Sequence, residues 1–334
     1  MTVRLAINGF GRIGRLVLRA IAEQERKDVK VVAINDLGSV EQSAYLFQYD
    51  SIHGIFPRAV KASQDSIDVG TGSIKVLQEA NPQKLPWKDL GIDVLLECSG
   101  HFTEKEKAMP HIQAGAKKVL ISAPSSDADL TVVYGVNHTE IKSHHLVISN
   151  ASCTTNCLAP VAFALHREIG IEHGYMTTVH AYTGDQRLVD SFHKDPRRSR
   201  ASALSMIPTS TGAAKAVGLV LPALKGKLDG TAIRVPTPNV SLVDLKFTSM
   251  RPTTVDEINT TFKKYATGEL KGILGICEAP LVSCDFNHNP LSSIADLTQT
   301  QVIEKTFCRI LAWYDNEWGF ANRMTDTALV MANV

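Results

Sequence analysis

The sequence lacks any apolar run long enough to cross a membrane, and it lacks an excess of charge of either sign. A membrane-spanning helix needs roughly 18 consecutive apolar residues, and no stretch of the 334 residues approaches that length. The 35 Lys and Arg residues nearly balance the 34 Asp and Glu residues, which leaves a formal net charge of +1. Because a protein that coats nucleic acid or an anionic membrane carries a large basic excess, we expect neither partner here.

Cysteine pairs and disorder-promoting composition are missing too. The chain has six cysteines and no Cys-x-x-Cys pair, which argues against a disulfide framework and predicts reduced thiols and no metal site. Three arginines (Arg4, Arg12 and Arg15) interrupt the first apolar stretches, so we expect no signal peptide and a cytoplasmic location. Hydrophobic residues make up 44% of the chain, as in ordinary globular proteins, and its length suggests two domains or one large one.

The N-terminal segment carries the strongest local signal. An apolar strand pattern at residues 3–7 is followed by Gly9, Gly11 and Gly14 in a Gly-x-Gly-x-x-Gly loop and then by a helical apolar stripe up to residue 23. A second strand pattern at 29–34 ends at Asp36. This order is the fingerprint of a dinucleotide site: the glycines allow a tight turn and a close approach of the pyrophosphate, and the carboxylate of Asp36 binds a ribose and repels a 2′-phosphate. We therefore predict NAD as cofactor, held by the loop and its acidic partner: Gly9, Phe10, Gly11, Arg12, Ile13, Gly14 and Asp36.

Alternation of strands and helices continues beyond this loop. Strand patterns at 93–98, 118–122 and 146–149 flank a helical pattern at 104–114. Repeated β-α-β units predict an α/β fold with a doubly wound, Rossmann-type parallel sheet, whose ligands bind at the carboxyl ends of its strands. Ser99, Gly100 and Ser122 follow such ends and are candidate cofactor contacts, although a polar strand terminus explains each of them equally well.

Cys153 is the candidate nucleophile. It stands among hydroxyl residues in the segment 149–157, between a strand pattern and a helical one, where free backbone N–H groups are expected to depress the pKa of a thiol. Pro160 leaves open whether Cys153 belongs to the helix or to the loop before it. His180, at the end of a strand pattern at 175–179, is the favoured base, with the alternatives lying in polar contexts: His144, His145, His166 and His173.

Four segments together resemble the glyceraldehyde-3-phosphate dehydrogenases. They are I-N-G-F-G-R-I-G-R at 7–15, S-N-A-S-C-T-T-N at 149–156, R-V-P-T-P-N-V at 234–240 and W-Y-D-N-E-W-G at 313–319. The resemblance covers the whole chain. It implies the phosphorylating enzyme of glycolysis, which uses NAD and inorganic phosphate, has small-molecule substrates and forms a homotetramer. It also implies that Cys153 forms a hemithioacetal and then a thioester, that His180 activates the thiol, and that Asn316 holds the nicotinamide carboxamide.

Two phosphate groups then need binding sites. Arg234 stands in an apolar strand pattern, where a guanidinium needs an anionic partner. The resemblance places Thr183 and Arg234 on the substrate phosphate, places Thr154 near both phosphates, and puts four residues around inorganic phosphate: Ser152, Arg198, Thr211 and Gly212. A solvated basic turn or a subunit contact is the alternative for Arg198, which has charged neighbours at 197 and 200.

The resemblance also fixes the expected domains. The NAD-binding domain should comprise residues 1–152 with 316–334, and residues 153–315 should form an α+β catalytic domain built on a mostly antiparallel sheet. Ser191 and Phe192 replace a Leu-Pro pair of many NAD-preferring relatives, which leaves strict exclusion of NADP open. The rival functions are erythrose-4-phosphate dehydrogenase, a thiol hydrolase and a non-catalytic NAD-binding regulator. A thiol hydrolase would have no use for the glycine loop and Asp36. A non-catalytic regulator would have no need of the thiol, the base and the phosphate donors together.

Overall fold

A computed structural model describes residues 2–334 and divides the chain into two compact units. Unit 1 consists of Met1–Ser152 together with Ala321–Val334, and unit 2 consists of Cys153–Phe320. The return to unit 1 therefore starts at Ala321, whereas the sequence placed it at residue 316. This boundary falls inside the C-terminal helix, Trp318–Ala332, so no break in the helical sequence pattern marks it.

Unit 1 is an α/β unit in which the helices follow the strands of one large sheet. Its helices up to residue 152 are α1 (Arg12–Glu23), α2 (Val40–Gln48) and α3 (Lys105–Gln113). Its strands are β1 (Val3–Asn8), β2 (Val29–Asn35), β3 (Tyr49–Asp50), β4 (Gly54–Ile55), β5 (Lys61–Ala62), β6 (Ser66–Asp68), β7 (Ser73–Leu77), β8 (Val94–Glu97), β9 (Lys118–Ile121), β10 (Leu130–Thr131) and β11 (Val147–Ser149).

The sheet of unit 1 is a doubly wound one, as predicted. Its order is β10-β11-β9-β8-β1-β2-β7-β6-β5, and only the pairs β5–β6 and β6–β7 run antiparallel. The central strands are buried on both faces because they are almost continuously apolar. Since β1, β2 and β8 are parallel neighbours, their carboxyl ends meet at one edge, and the residues that follow them form the candidate cofactor site.

Unit 2 is built on a mostly antiparallel sheet with three helices before residue 318. The helices are α4 (Cys153–Glu168), α5 (Ala213–Val220) and α6 (Val255–Thr267). The strands are β12 (Ile171–Ala181), β13 (Ile207–Ser210), β14 (Leu228–Val235), β15 (Ser241–Ser249), β16 (Leu274–Cys277), β17 (Ser293–Asp296), β18 (Gln301–Ile303) and β19 (Phe307–Tyr314), and the last helix is α7 (Trp318–Ala332).

The register of this second sheet positions two candidate site residues side by side. The order is β13-β14-β12-β15-β19-β17-β16, with β18 paired to β19, and the parallel pair β12–β14 sets His180 opposite Arg234. Helix α4 packs on β17, β19 and β12, and Cys153 is its first residue. The alternative that Pro160 had left open is thus decided, because Pro160 lies in the helix interior, two turns after Cys153.

Neither a membrane span nor a metal cluster is found in the part of the chain that the structure describes. Among residues 2–334, no helix has the length and apolar character needed to cross a bilayer. Within the same range, His, Cys, Asp and Glu side chains do not form groups of three that could hold a metal ion.

Candidate active site

The glycine loop of unit 1 makes two close backbone contacts that only glycine allows. Gly9 has φ +91°, and a Cβ atom there would lie 2.4 Å from the backbone nitrogen of Ser99. A Cβ atom at Gly14 would lie 2.1 Å from the carbonyl oxygen of Gly9. Gly11 differs, because no atom lies within 4 Å of the place its Cβ would occupy. Gly9 and Gly14 are therefore required by the fold itself, whereas Gly11 leaves open space at the start of α1.

Asp36 lies at the carboxyl end of β2 and faces the same loop. Its Oδ2 accepts a hydrogen bond from the backbone N–H of Phe10 at 2.6 Å, and its Oδ1 accepts one from Gly38 at 3.0 Å. The carboxylate lines a cavity of about 420 Å³, together with Gly9, Gly11 and Ser99. A cavity of this size, walled by a glycine loop, a helix N-terminus and an acidic residue, fits the adenosine and pyrophosphate part of a dinucleotide.

Glu97, which no sequence motif singled out, holds two residues that line this cavity, Asn8 and Ser99. The Oε1 atom of this buried carboxylate accepts hydrogen bonds from the backbone N–H of Ser99 at 2.8 Å and from the Ser99 hydroxyl. Its Oε2 accepts one from Asn8 at 2.6 Å. Ser99 lines the cavity, whereas Ser122 donates its backbone N–H to the Glu97 carbonyl and is not part of the lining. An acidic residue at the end of an otherwise apolar strand pattern is the sequence signal that could have revealed Glu97.

Arg12 is held by an acidic partner at the start of α1. Its Nη1 lies 2.5 Å from Oδ2 of Asp50, whose Oδ1 accepts the backbone N–H groups of Ile52 and His53. Burial raises the pKa of Asp50, but the hydrogen bond from Arg12 and the two N–H groups outweigh it and lower this pKa to about 2. Arg12 therefore helps to fix the segment that follows α2, in addition to the cofactor role predicted for it.

In unit 2, Cys153 and His180 lie beside each other. Cys153 Sγ is 3.5 Å from Nε2 of His180, which is only 3% exposed. The other candidate bases have different contacts: His145 and His166 accept backbone N–H groups of Lys142 and Ile171 through Nδ1. No hydrogen bond joins either of them to Cys153 among the described residues 2–334. The geometry thus offers His180 as the group that exchanges a proton with the thiol.

The neighbours of His180 select one tautomer of its ring. Its Nδ1 lies 2.7 Å from the carbonyl oxygen of Ala181, which can only accept a proton. Arg234 Nη1 lies 3.0 Å from the same Nδ1, but the guanidinium also donates to the Ala181 carbonyl at 3.1 Å. With the proton on Nδ1, the His180 ring and the Arg234 guanidinium both donate to the Ala181 carbonyl. The lone pair of Nε2 then points to the thiol.

Burial sets the charge state of this pair. It raises the pKa of the Cys153 thiol, although the charge of Arg234 and hydrogen bonds from Thr154 oppose the shift. The thiol pKa is therefore raised where a depression was expected, because desolvation outweighs the hydrogen bonds and the Arg234 charge. Burial and the Arg234 charge lower the pKa of His180 to about 3, so this imidazole is neutral at pH 7 and able to accept a proton.

Tyr314 supports the thiol and its base from within the core. Its hydroxyl lies 2.8 Å from Oγ1 of Thr154 and 2.9 Å from Oγ1 of Thr178, and the edge of its ring contacts the His180 ring. Thr154, predicted near both phosphates, is therefore buried with its hydroxyl on Tyr314. The strand register, which the sequence alone does not reveal, brings Tyr314 into this position.

The predicted phosphate-binding residues fall into separate groups. Arg234 Nη1 lies 3.4 Å from Oγ1 of Thr183, next to His180. Arg198 instead pairs with Asp185 at 2.7 Å and donates to Thr209 at 3.1 Å. Two more predicted residues lie at the start of α5, where Oγ1 of Thr211 accepts the Ala213 N–H and Gly212 is the N-cap. Ser152 directly precedes α4 in the chain.

Asn316 lies after the end of β19 in unit 2. Its Oδ1 accepts a hydrogen bond from the Ser241 hydroxyl at 2.8 Å, and the residue is 5% exposed. Its neighbour Asp315 accepts the backbone N–H groups of Glu317 and Trp318, which fixes the turn into α7. The side chain predicted to hold the nicotinamide carboxamide is therefore oriented by the protein.

The fold and cavity of unit 1 define a dinucleotide-binding protein, and the comparisons with known proteins make it an NAD-dependent oxidoreductase. Residues 3–105 match the family model described as the glyceraldehyde 3-phosphate dehydrogenase NAD binding domain, and residues 152–316 match the C-terminal domain of the same family. The chain belongs to the glyceraldehyde-3-phosphate dehydrogenase family, and its cofactor is NAD.

Full-length relatives agree with the family models. The chain is 63% identical over 334 residues to glyceraldehyde-3-phosphate dehydrogenase of Xanthobacter flavus and 61% identical over 334 residues to that of Cereibacter sphaeroides, with all of each chain covered. It is 58% identical over 333 residues to the enzyme of the same name from Pseudomonas aeruginosa, with 99% of both chains covered. The predicted family and α/β fold are thereby confirmed.

Proposed function

We propose that the chain catalyses the phosphorylating oxidation of D-glyceraldehyde 3-phosphate, with NAD and inorganic phosphate, to 1,3-bisphosphoglycerate in glycolysis. The observation that carries the proposal is the contact of 3.5 Å between Cys153 Sγ and His180 Nε2, with Arg234 adjacent. A nucleophile, a neutral base and a cation for an anionic substrate are thus present together in unit 2.

Cys153 and His180 carry out the covalent steps. The thiol proton passes through Nε2 of His180 to the carbonyl oxygen as the sulfur bonds to the aldehyde carbon, which gives a hemithioacetal. His180 then removes the hydroxyl proton while that carbon is oxidised to a thioester. NAD, when bound, supplies the hydride acceptor for this oxidation. An oxygen of inorganic phosphate finally bonds to the thioester carbon, the C–S bond breaks, and the sulfur leaves as a thiolate that is reprotonated.

Residues of unit 1 hold the cofactor in this proposal. The loop from Gly9 to Gly14 and the N-terminus of α1 bind the pyrophosphate, and Asp36 accepts hydrogen bonds from a ribose. The open space at Gly11 and the cavity lined by Asp36 support this assignment. Ser99, Gly100 and Ser122 are further contacts, of which Ser99 has the strongest support because it lines the cavity.

Two sets of residues bind the phosphates. Arg234 and Thr183 bind the phosphate of the substrate, because their side chains lie together next to His180. Four residues bind inorganic phosphate (Ser152, Arg198, Thr211 and Gly212), with Thr154 near both anions. Because Arg198 is paired with Asp185, an anion that binds Arg198 must compete with that carboxylate.

The functional form is a cytoplasmic homotetramer with small-molecule substrates and without nucleic-acid or membrane partners. Exposed apolar side chains in one stretch of unit 2 support association of subunits: Leu188, Val189, Phe192, Leu204 and Met206. Sedimentation tests this assignment, and a monomer at micromolar concentration would contradict it.

Two substitutions test the chemistry. Cys153→Ser should retain NAD binding and lose aldehyde oxidation, and His180→Asn should slow oxidation by roughly 10²–10⁴-fold because it removes the general base. Thermal unfolding and NAD titration of each variant serve as controls. Oxidation that survives in the serine variant would refute the covalent mechanism.

Substrate and cofactor preference need a separate measurement. Values of kcat/KM for glyceraldehyde 3-phosphate and erythrose 4-phosphate, each with NAD and with NADP, decide between the proposed function and its nearest rival. We expect the three-carbon aldehyde and NAD to be preferred. A preference for the four-carbon aldehyde would assign the chain to the rival function, and equal use of NADP would show that Asp36 does not exclude a 2′-phosphate.

A further inference from the structure

Asn316 has an amide nitrogen without a protein partner in an otherwise buried side chain. Its Oδ1 accepts from Ser241 Oγ at 2.8 Å, and the residue is 95% buried, since only 5% is exposed. Within residues 2–334, Nδ2 of Asn316 makes no hydrogen bond. Nδ2 does not belong to the side-chain atoms that are shut off from solvent without a partner, so its two N–H donors are accessible to a ligand.

Ser241 fixes which end of the amide faces the protein. Its Oγ accepts the backbone N–H of Ala181 at 3.0 Å and is almost fully buried. The serine proton then has one acceptor in the structure, Oδ1 of Asn316. If the amide were turned around, Nδ2 would meet Oγ and the serine proton would lack an acceptor, at the cost of a buried unpaired donor.

The backbone around Ser241 is held firmly enough to act as this support. Val240 has φ +65°, a left-handed conformation that a β-branched residue adopts only when its surroundings impose it. Val240 is buried against Phe286 and Ile294, and the preceding Asn239 donates to Asp315 Oδ2 at 2.9 Å. The chain on both sides of the contact between Ser241 and Asn316 is thereby anchored.

We propose that Ser241 is a positioning residue that turns the amide nitrogen of Asn316 toward the nicotinamide carboxamide as a hydrogen-bond donor. This inference rests on the proposed function, in which Asn316 holds that carboxamide. The donor chain runs from the Ala181 N–H to Ser241 Oγ, from its hydroxyl to Asn316 Oδ1, and from Asn316 Nδ2 to the carbonyl oxygen of the carboxamide. Asn316 therefore recognises an acceptor on the nicotinamide ring and does not require the amide N–H donors of that ring.

The polarity of this contact predicts which cofactor analogues bind. The 3-acetylpyridine analogue of NAD keeps the carbonyl oxygen and replaces the amide nitrogen by a methyl group. We expect it to bind the unmodified protein within about threefold of NAD, because the acceptor for Asn316 is retained. ADP-ribose lacks the nicotinamide ring and reports on the rest of the dinucleotide site alone.

The test is a set of binding titrations by calorimetry on the full-length protein with NAD, the acetylpyridine analogue and ADP-ribose. Ser241→Ala should weaken NAD and the acetylpyridine analogue by about fivefold to tenfold and leave ADP-ribose unchanged, because the loss of one positioned hydrogen bond is of that order. Ser292→Ala is the matched control, since Ser292 is a buried serine of the same unit whose hydroxyl has no partner among the described residues.

Each outcome separates the inference from the function on which it rests. Equal NAD affinity in Ser241→Ala and the unmodified protein, or an equal loss for ADP-ribose, would overturn the role of Ser241. A loss of tenfold or more for the acetylpyridine analogue in the unmodified protein would overturn the donor assignment. Asn316→Ala keeps the two failures apart: if it too leaves NAD affinity unchanged, Asn316 does not hold the carboxamide and the proposed site is wrong.

Discussion

The glycine loop allows a prediction in which two similar substitutions have opposite consequences. At Gly9, with φ +91°, a Cβ atom would lie 2.4 Å from the Ser99 nitrogen, so Gly9→Ala forces the backbone after β8 to move. A left-handed alanine costs about 1–2 kcal/mol and the overpacking about 1–3 kcal/mol, which gives an expected loss of about 2–5 kcal/mol in the free energy of unfolding. At Gly11 φ is −72° and the space is open, so Gly11→Ala should cost less than about 1 kcal/mol.

NAD binding should show a different pattern in the same pair of variants. If the pyrophosphate approaches the backbone at Gly11, a methyl group there should weaken NAD binding at least about tenfold while the fold stays intact. Urea unfolding followed by circular dichroism, at one fixed protein concentration, measures stability, and calorimetry measures NAD affinity. A Gly9→Ala protein as stable as the unmodified one, or unchanged NAD affinity in Gly11→Ala, would refute this division of roles.

Three further predictions concern groups that the fold buries. Because the pKa of Asp50 is lowered to about 2, the carboxylate stabilises the native state above pH 4, and this contribution is lost as the pH falls toward 2. The stability gap between the unmodified protein and Asp50→Asn, measured by urea unfolding, should therefore narrow on acidification, and a constant gap would contradict the assignment. Lys118 donates from Nζ to the Met331 carbonyl at 2.7 Å, so Lys118→Met should cost about 1–3 kcal/mol in urea unfolding, with Lys117→Met as an exposed control of the same charge change. Tyr314→Phe leaves the hydroxyls of Thr154 and Thr178 without their shared partner and should cost about 1–3 kcal/mol; an unchanged unfolding midpoint would show that the tyrosine hydroxyl is not needed.

Most of the elements near the site are predictable because they rest on local patterns. The strands before Gly9 and Asp36 are predominantly apolar, and helix α1 carries a clear apolar stripe and ends at Glu23, as expected. The order of these elements already implies parallel neighbours. The candidate nucleophile, Cys153, was recognisable because a packed cysteine rarely needs hydroxyl-rich surroundings.

Partners from distant parts of the chain were not predictable. Ser241 and Tyr314 look like ordinary strand residues in the sequence, and their roles arise from strand register and burial. Two further features were not predictable for the same reason. They are the pairing of Arg198 with Asp185 and the return of the chain to unit 1 at Ala321. Such contacts depend on which residues a sheet aligns, and periodicity within one strand carries no information on that alignment.

Residue types at short fixed spacings suffice to identify the family, the dinucleotide fold, NAD as cofactor, and the candidate nucleophile and base. The electrostatics of Cys153 and His180 become visible only in the folded protein. There the buried His180 lies beside the half-buried Cys153, and desolvation raises the pKa of the thiol and lowers that of the imidazole, where the helix N-terminus alone suggested an acidic thiol. The physical reason is that desolvation depends on everything that packs around a group, and a linear sequence does not specify those neighbours.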